Sequence, residues 1–241
     1  MKKFIILSTQ RSGSAFLATS LASHPLITCH REIFLQKNRN CDSYQMYRSS
    51  SLGRRVTDIF NRGSLVDKYL QGIFSADSHV SAAGFKLMYS QAKRFPEVTN
   101  WLLENNVHII HLIRKNYLRT ILSACIAQAR GIHHSSKTLE KTKVIIHPEM
   151  AMREMKKISD NINSYCSLFR NNPYIEISYE SFVSDRDAQA KLILEFLAIN
   201  NFSRLTSELV KNNPYPISEL IQNYEEVSDA LRGTQFDSFL D

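Results

Sequence analysis

A polar turn at residues 10–14 carries residue types that bind phosphate or sulfate groups. It reads Gln-Arg-Ser-Gly-Ser and directly follows an apolar, β-prone run at residues 4–8. Apolar side chains in residues 14–22 recur about one helical turn apart, so the pattern predicts a strand, a loop and a helix. A loop in this position directs backbone N–H groups and the positive end of the helix dipole toward an anion.

The side chains of this loop suit the same role. Arg11 places a permanent cation at the mouth of the loop, and Gly13 lets the backbone approach a ligand closely. Ser12 and Ser14 add hydroxyl donors. A nucleotide triphosphatase would instead show a longer glycine-rich loop with Lys before Ser or Thr, and acidic ligands for magnesium. The sequence contains neither feature, so we expect anion binding without a metal.

Composition sets broad limits on the function. A chain of 241 residues suits one large domain, and the formal charge of +7 fits an anionic ligand, a nucleic acid or an anionic membrane surface. The basic residues are dispersed in pairs, which argues against a nucleic-acid-binding face. No apolar run approaches the length of a transmembrane helix or of a secretory signal core. The four cysteines have no metal-ligand spacing. We expect a cytoplasmic protein with reduced thiols.

Strand and helix patterns alternate along most of the chain. Strands are predicted at residues 4–8, 26–29, 84–88, 107–113 and 174–178, and helices at 14–22, 97–105, 118–129, 188–197 and 217–231 and from residue 148. This alternation predicts an α/β fold, a P-loop-type parallel sheet of about five strands covered by helices on both faces. We expect a single domain over residues 1–241, with an insertion around 36–82 that shapes the acceptor pocket.

Two motifs resemble the cofactor site of sulfotransferases that use 3′-phosphoadenosine-5′-phosphosulfate (PAPS). The loop at residues 10–14 resembles their 5′-phosphosulfate loop, and Arg114-Lys115-Asn116 followed by Ser123 resembles their 3′-phosphate site. The tyrosine of the segment Tyr179-Glu180-Ser181-Phe182 resembles one that lies near the adenine. The resemblance implies PAPS as cofactor, bound without a metal by Arg11, Ser12, Gly13, Ser14, Ala15, Phe16, Arg114, Lys115, Ser123 and Tyr179.

Two further motifs resemble bacterial carbohydrate sulfotransferases of the trehalose and Nod-factor-like type. Arg31-Glu32-Ile33-Phe34 is similar to their glutamate-aromatic motif, and Gly84-Phe85-Lys86-Leu87-Met88 to their G-x-K-L-M strand. The resemblance implies that Glu32 deprotonates an acceptor hydroxyl and that Arg11 stabilises charge on the leaving group. Lys86 either faces the sulfate or caps the edge of a strand. The implied acceptor is a carbohydrate or glycolipid hydroxyl. Because relatives of this group include dimers, a homodimer is also an expectation.

Several alternatives remain open at this stage. His30 is a second candidate base, His111 has the buried pattern of a structural residue, and His133-His134 lacks a third metal ligand. Either Arg114 or Lys115 could make the main 3′-phosphate contact. The basic glycine-containing loop that covers the cofactor in cytosolic relatives is absent, and residues 211–214 occupy its place. The competing functions are a P-loop small-molecule kinase and a non-catalytic nucleotide- or anion-binding protein.

Overall fold

The fold is built on a five-stranded parallel sheet. A computed structural model describes residues 1–36, 40–75, 79–131, 140–209 and 213–240. The strands are β1 (Lys2–Ser8), β2 (Ile27–His30), β3 (Ala82–Met88), β4 (His108–Ile113) and β5 (Tyr174–Ser178). Their order is β2-β3-β1-β4-β5, and every neighbouring pair is parallel. This arrangement confirms the predicted fold class.

The helices connect the strands and cover the sheet. They are α1 (Ser14–Ala22), α2 (Tyr44–Ser49), α3 (Leu52–Phe60), α4 (Arg62–Ser75), α5 (Tyr89–Arg94), α6 (Pro96–Glu104), α7 (Tyr117–Arg130), α8 (Pro148–Leu168), α9 (Tyr179–Ser184), α10 (Arg186–Phe196), α11 (Ile217–Leu220) and α12 (Tyr224–Leu231). A short 3₁₀ helix follows at Asp237–Phe239. The predicted insertion therefore contains α2, α3 and α4 between β2 and β3.

Apolar side chains pack on both faces of the sheet. In β1, Phe4 and Ile6 pack with α1 and α10, whereas Ile5 and Leu7 pack with α4 and α6 on the opposite face. All four are fully buried. Because both faces are covered, the strand is continuously apolar and shows no alternation. Since helices cover both faces of the sheet, a site can form at its carboxyl edge, where the loops lead from strands to helices.

The predicted helix over residues 217–231 is wrong in one respect. The structure divides it into α11 and α12, because the backbone between them pairs with Val144. The Val144 N–H donates to the Leu220 carbonyl at 2.9 Å, and the Gln222 N–H donates to the Val144 carbonyl at 2.9 Å. This strand-like bridge takes backbone groups that a continuous helix would use internally.

Candidate functional site

A cavity of about 840 Å³ lies at the carboxyl edge of the sheet. Each strand supplies a residue at or just beyond its end: Arg11 after β1, Glu32 after β2, Met88 of β3, Arg114 after β4 and Tyr179 after β5. In open parallel sheets this edge is where ligands bind, because the loops between strands and helices converge there. The predicted anion loop and Arg114 therefore meet in one cavity.

The loop between β1 and α1 has a tight backbone at two positions. Arg11 and Gly13 have φ angles of 64° and 92°, both in the left-handed region. A β-carbon on Gly13 would lie 2.2 Å from the Tyr179 Cδ2 atom, so the ring of Tyr179 packs directly on the glycine. Glycine is needed here for both the backbone conformation and the close packing. The loop leads into the first turn of α1, whose N–H groups have no acceptor within the helix.

Two guanidinium groups connect this loop to its neighbours. Arg11 donates from Nε and Nη2 to the Ser123 hydroxyl of α7, at 3.2 and 3.1 Å. Arg114 donates from Nη1 to the Arg11 carbonyl at 3.2 Å, and its Cζ lies 5.0 Å from the centre of the Tyr179 ring. The four side chains most strongly implicated by the sequence in cofactor binding therefore form one contiguous group.

The partly buried position of Arg114 favours an anionic ligand. Burial lowers the pKa of its guanidinium, and Tyr179 and Glu180 oppose that shift. Its Nε is buried and has no hydrogen-bond partner in the described part of the chain. An arginine stays protonated in proteins, so this cation bears a desolvation cost that a phosphate group could offset. Burial also lowers the pKa of Arg11.

Glu32 is held on the wall of the cavity by two side chains. Its Oε1 lies 2.9 Å from the Lys86 Nζ, and its Oε2 accepts a hydrogen bond from the Gln91 Nε2 at 2.7 Å. Lys86 is only 5 % exposed, and Gln91 is also buried. Gln91 is fixed in turn, because its Oε1 accepts from the Met88 N–H at 3.0 Å. The carboxylate therefore has a set orientation, and each of its oxygens can accept further hydrogen bonds.

The structure separates the remaining predicted residues into two groups. Ser14, Ala15 and Phe16 line the cavity. Ser12 is fully buried beneath the loop and donates from its hydroxyl to the Thr9 carbonyl at 2.9 Å. Lys115 is exposed and is absent from the cavity wall, and its N–H donates to the Glu180 Oε2 at 3.0 Å. The geometry thus favours Arg114 over Lys115 as the anion-binding residue.

Sequence reasoning missed two arginines of the cavity wall and the glutamine that contacts Glu32. Arg119 lies in the first turn of α7 and Arg186 at the start of α10, and both line the cavity, whereas Gln91 lies in α5 behind Glu32. The Arg186 Cζ lies 4.8 Å from the centre of the Phe16 ring. A signal existed for Gln91 and Arg119, since each follows the end of a strand by a few residues and so falls at the carboxyl edge. Arg186 follows an intervening helix, and its sequence context carries no such signal.

The alternative histidines lie elsewhere. The Nδ1 of His30 lies 2.9 Å from the Asp42 Oδ2, outside the cavity wall. His111 is fully buried in β4, as its pattern predicted. His133 and His134 lie outside the described residues, as do 211 and 212 of the segment predicted to cover the cofactor. Asn213 of that segment lines the cavity.

No group of three or more His, Cys, Asp or Glu side chains among the described residues is arranged to hold a metal ion. None of the described helices combines the length and the apolar character needed to cross a membrane.

The chain resembles sulfotransferases in sequence and in fold. The family described as "Sulfotransferase family" matches residues 3–203. A sulfotransferase from Alicyclobacillus acidocaldarius superimposes with a TM-score of 0.52 at 13 % identity, covering 100 % of this chain and 96 % of that one. A sulfotransferase domain from the curacin biosynthetic pathway gives a TM-score of 0.51 at 16 % identity, covering 88 % and 79 %. No curated protein matches the sequence.

Proposed function

Because the chain belongs to the sulfotransferase family, we propose that it transfers a sulfuryl group from PAPS to a hydroxyl group, with Glu32 as the base. The acceptor we expect is a carbohydrate or glycolipid. One observation carries this proposal. Among the described residues that line the cavity, Glu32 is the single carboxylate, and it shares the wall with five cations: Arg11, Lys86, Arg114, Arg119 and Arg186.

The β1–α1 loop and Arg114 are suited to hold the cofactor. When bound, PAPS supplies a sulfuryl group together with a phosphate that can leave with the bond electrons. The N–H groups at the start of α1 and the guanidinium of Arg11 can bind the 5′-phosphate. The buried Nε of Arg114, which has no partner in the described residues, fits the 3′-phosphate. Tyr179 offers its ring to the adenine, beside Arg114.

In this proposal Glu32 moves a proton. Glu32 would take the proton of the acceptor hydroxyl on a carboxylate oxygen as the acceptor oxygen bonds to sulfur, and Lys86 and Gln91 hold that carboxylate in a fixed direction. The guanidinium of Arg11 and the loop N–H groups would stabilise the negative charge on the 5′-phosphate that leaves when its bond to sulfur breaks. Preorganised cations of this kind can supply the electrostatic stabilisation of the transition state without a metal ion.

The first test is binding of 3′,5′-adenosine bisphosphate, the desulfated cofactor. At about 100 times its Kd the ligand should stabilise the chain by roughly 2.7 kcal/mol and raise Tm by about 5–10 °C, since each kcal/mol is worth about 2–4 °C in a chain of this size. ATP with magnesium should give no shift. A shift with ATP and magnesium alone would support a kinase instead, and no shift with either ligand would support a protein that binds no nucleotide.

The second test addresses the chemistry through Glu32→Gln, measured as formation of the bisphosphate from PAPS across a panel of carbohydrate acceptors. The amide cannot take the acceptor proton, so we expect turnover to fall by about 10² to 10⁴ with binding of the bisphosphate unchanged. Glu104→Gln, at an exposed position on α6, is the matched control and should keep full turnover. Full turnover by Glu32→Gln would remove this residue from the mechanism.

A further inference from the structure

Helix α3 attaches to the rest of the molecule through its polar face. The Asp58 carboxylate accepts a hydrogen bond from the Arg48 Nη1 at 2.6 Å and another from the Tyr44 hydroxyl. The Cζ of Arg54 lies 4.0 Å from the centre of the Tyr47 ring. All three partners belong to α2. The inward side of α3 is therefore its charged side, the reverse of an ordinary surface helix.

The outward face of α3 is apolar. Leu52, Val56, Ile59 and Phe60 recur at helical spacing along one side, and they are 78 %, 47 %, 75 % and 84 % exposed. No residue of α3 is buried. A stripe of this kind contributes nothing to the core, and contiguous exposed apolar surface typically marks an interaction site.

The surroundings of this stripe are cationic. The helices α2, α3 and α4 and their junctions carry five basic residues, Arg48, Arg54, Arg55, Arg62 and Lys68. The acidic residues at described positions 40–75 are Asp42, Asp58 and Asp67, and each is engaged inside the fold, with His30, with Arg48 and Tyr44, and with Trp101 and Gln71. Arg55, which is exposed, lies beside the apolar stripe on the same helix. Arg48 and Arg62 are in turn paired with Asp58 and Glu97, so the positive charge that this region offers to a partner comes from Arg54, Arg55 and Lys68.

We propose that α3 docks reversibly on an anionic lipid surface. Its four apolar side chains enter the boundary between headgroups and acyl chains, and Arg55 contacts the anionic headgroups. Interfacial helices combine an apolar face with flanking Arg or Lys in this way, and each cation near an anionic bilayer strengthens binding. The proposal is independent of the sulfuryl transfer proposed above.

A second copy of the chain fits this face less well. In a two-fold symmetric dimer the same patch meets itself, so the cationic rims would face each other. The four side chains expose on the order of 500 Å², below the roughly 800 Å² per partner of a standard protein interface. An anionic bilayer can accept a small, shallow patch, and its negative charge complements the cations around α3.

The test is co-sedimentation of the full chain with lipid vesicles. We expect binding to phosphatidylcholine vesicles that contain about 30 % phosphatidylserine, weak binding to phosphatidylcholine alone, and loss of binding as salt rises to about 0.5 M. Absence of binding to the anionic vesicles, or equal binding to both kinds, would overturn the proposal.

Variants then locate the surface. The double variant Ile59→Ser, Phe60→Ser should lower the vesicle partition coefficient about tenfold or more. Its Tm should stay unchanged, since neither side chain is buried. Phe202→Ser is the matched control, because Phe202 is 53 % exposed and lies outside α3. Equal binding by the double variant would contradict the assignment to α3. A dimer in light scattering that the double variant abolishes would show instead that a second copy covers the face.

Discussion

Two polar clusters lie against opposite faces of the central strands, and they differ in what they can do. The open cluster consists of Glu32, Lys86 and Gln91 and borders the cavity. The closed cluster consists of His111 between the hydroxyls of Tyr89 and Tyr174, with the His111 Nδ1 2.5 Å from the Tyr174 oxygen. In the closed cluster both ring nitrogens have partners, whereas the open cluster presents a carboxylate to the cavity.

Helix α5 serves both clusters. Tyr89 at its first position contacts His111, and Gln91 two residues later contacts Glu32. Residues two apart point to nearly opposite sides of a helix, which lets one short element support both sites. The difference between the clusters is therefore one of access and charge. A buried, fully paired neutral group stabilises the fold, whereas a charged group beside a cavity can exchange protons with a ligand.

Among the changes to residues that support Glu32 or His111, Lys86→Met should give the largest effect. It removes the ammonium group that positions Glu32 and keeps an apolar side chain of similar length in the buried site. We expect turnover to fall about 100-fold, because small errors in the position of a catalytic group are costly. The change is measured as bisphosphate formation from PAPS, with binding of the bisphosphate and Tm measured in parallel. Lys156→Met, at an exposed position of α8, is the control. Unchanged turnover would show that the open cluster does not depend on its cation.

We expect the closed cluster to make the free energy of unfolding depend on pH, with no effect on the cavity. Burial lowers the pKa of His111 from 6.5 to about 4. Between these values the unfolded chain binds more protons than the folded chain, so stability is complete above about pH 6.5 and is lost as pH falls toward 4. We expect His111 to account for roughly 2 kcal/mol of lost unfolding free energy between pH 7 and pH 5.

Urea unfolding at both pH values measures this loss. His111→Gln keeps a donor and an acceptor between the two tyrosines but cannot titrate, so its stability should change less over the same interval. If the wild-type chain and His111→Gln lose the same free energy between pH 7 and pH 5, the protonation of His111 does not control acid stability. Binding of the bisphosphate at pH 7 should be the same in both.

The sequence predicted the sheet and its first loop better than the contacts between side chains in the candidate site. The loop at residues 10–14, the strand before Arg114 and the parallel sheet follow from local patterns and spacing. The contact between Glu32 and Gln91 joins residues 59 positions apart. It depends on the register of β2 against β3 and on the rotation of α5, which local patterns do not encode.

The sequence likewise did not show on which face of the sheet the Lys86 side chain lies. A strand that is covered on both faces lacks the alternation that would show which side chains share a face. Only the register with β1 places Lys86 beside Ile6, on the face of α1, and His111 beside Leu7, on the other face. The bridge between Val144 and Ile221 is another long-range pairing of this kind, which is why α11 and α12 were predicted as one helix.

Gln91 tests whether positioning matters within the open cluster. Gln91→Leu removes the donor to Glu32, and we expect turnover to fall about tenfold with the Kd of the bisphosphate unchanged.

Gln91→Glu retains an acceptor for the Met88 N–H but sets two carboxyl groups together. Because neighbouring carboxylates resist double ionisation, the acidic limb of its pH–rate profile should move to higher pH. Gln128→Leu, exposed on α7, is the control. A pH–rate profile of Gln91→Glu that matches the wild-type chain would argue against a role through Glu32.

Tyr174→Phe should give the smallest effect and the sharpest separation of the two clusters. It removes the hydroxyl beside the His111 Nδ1 but keeps the ring, whose centre lies 5.7 Å from that of His111. One ring nitrogen then loses its partner in a buried site, so the free energy of unfolding should drop by about 1 kcal/mol in urea denaturation. Turnover should stay within twofold of the wild-type value (roughly 0.4 kcal/mol), since Tyr179, which follows β5, lines the cavity and Tyr174 does not. A tenfold loss of turnover with little change in stability would mean that the two clusters are coupled across the sheet, with α5 as the element that both contact.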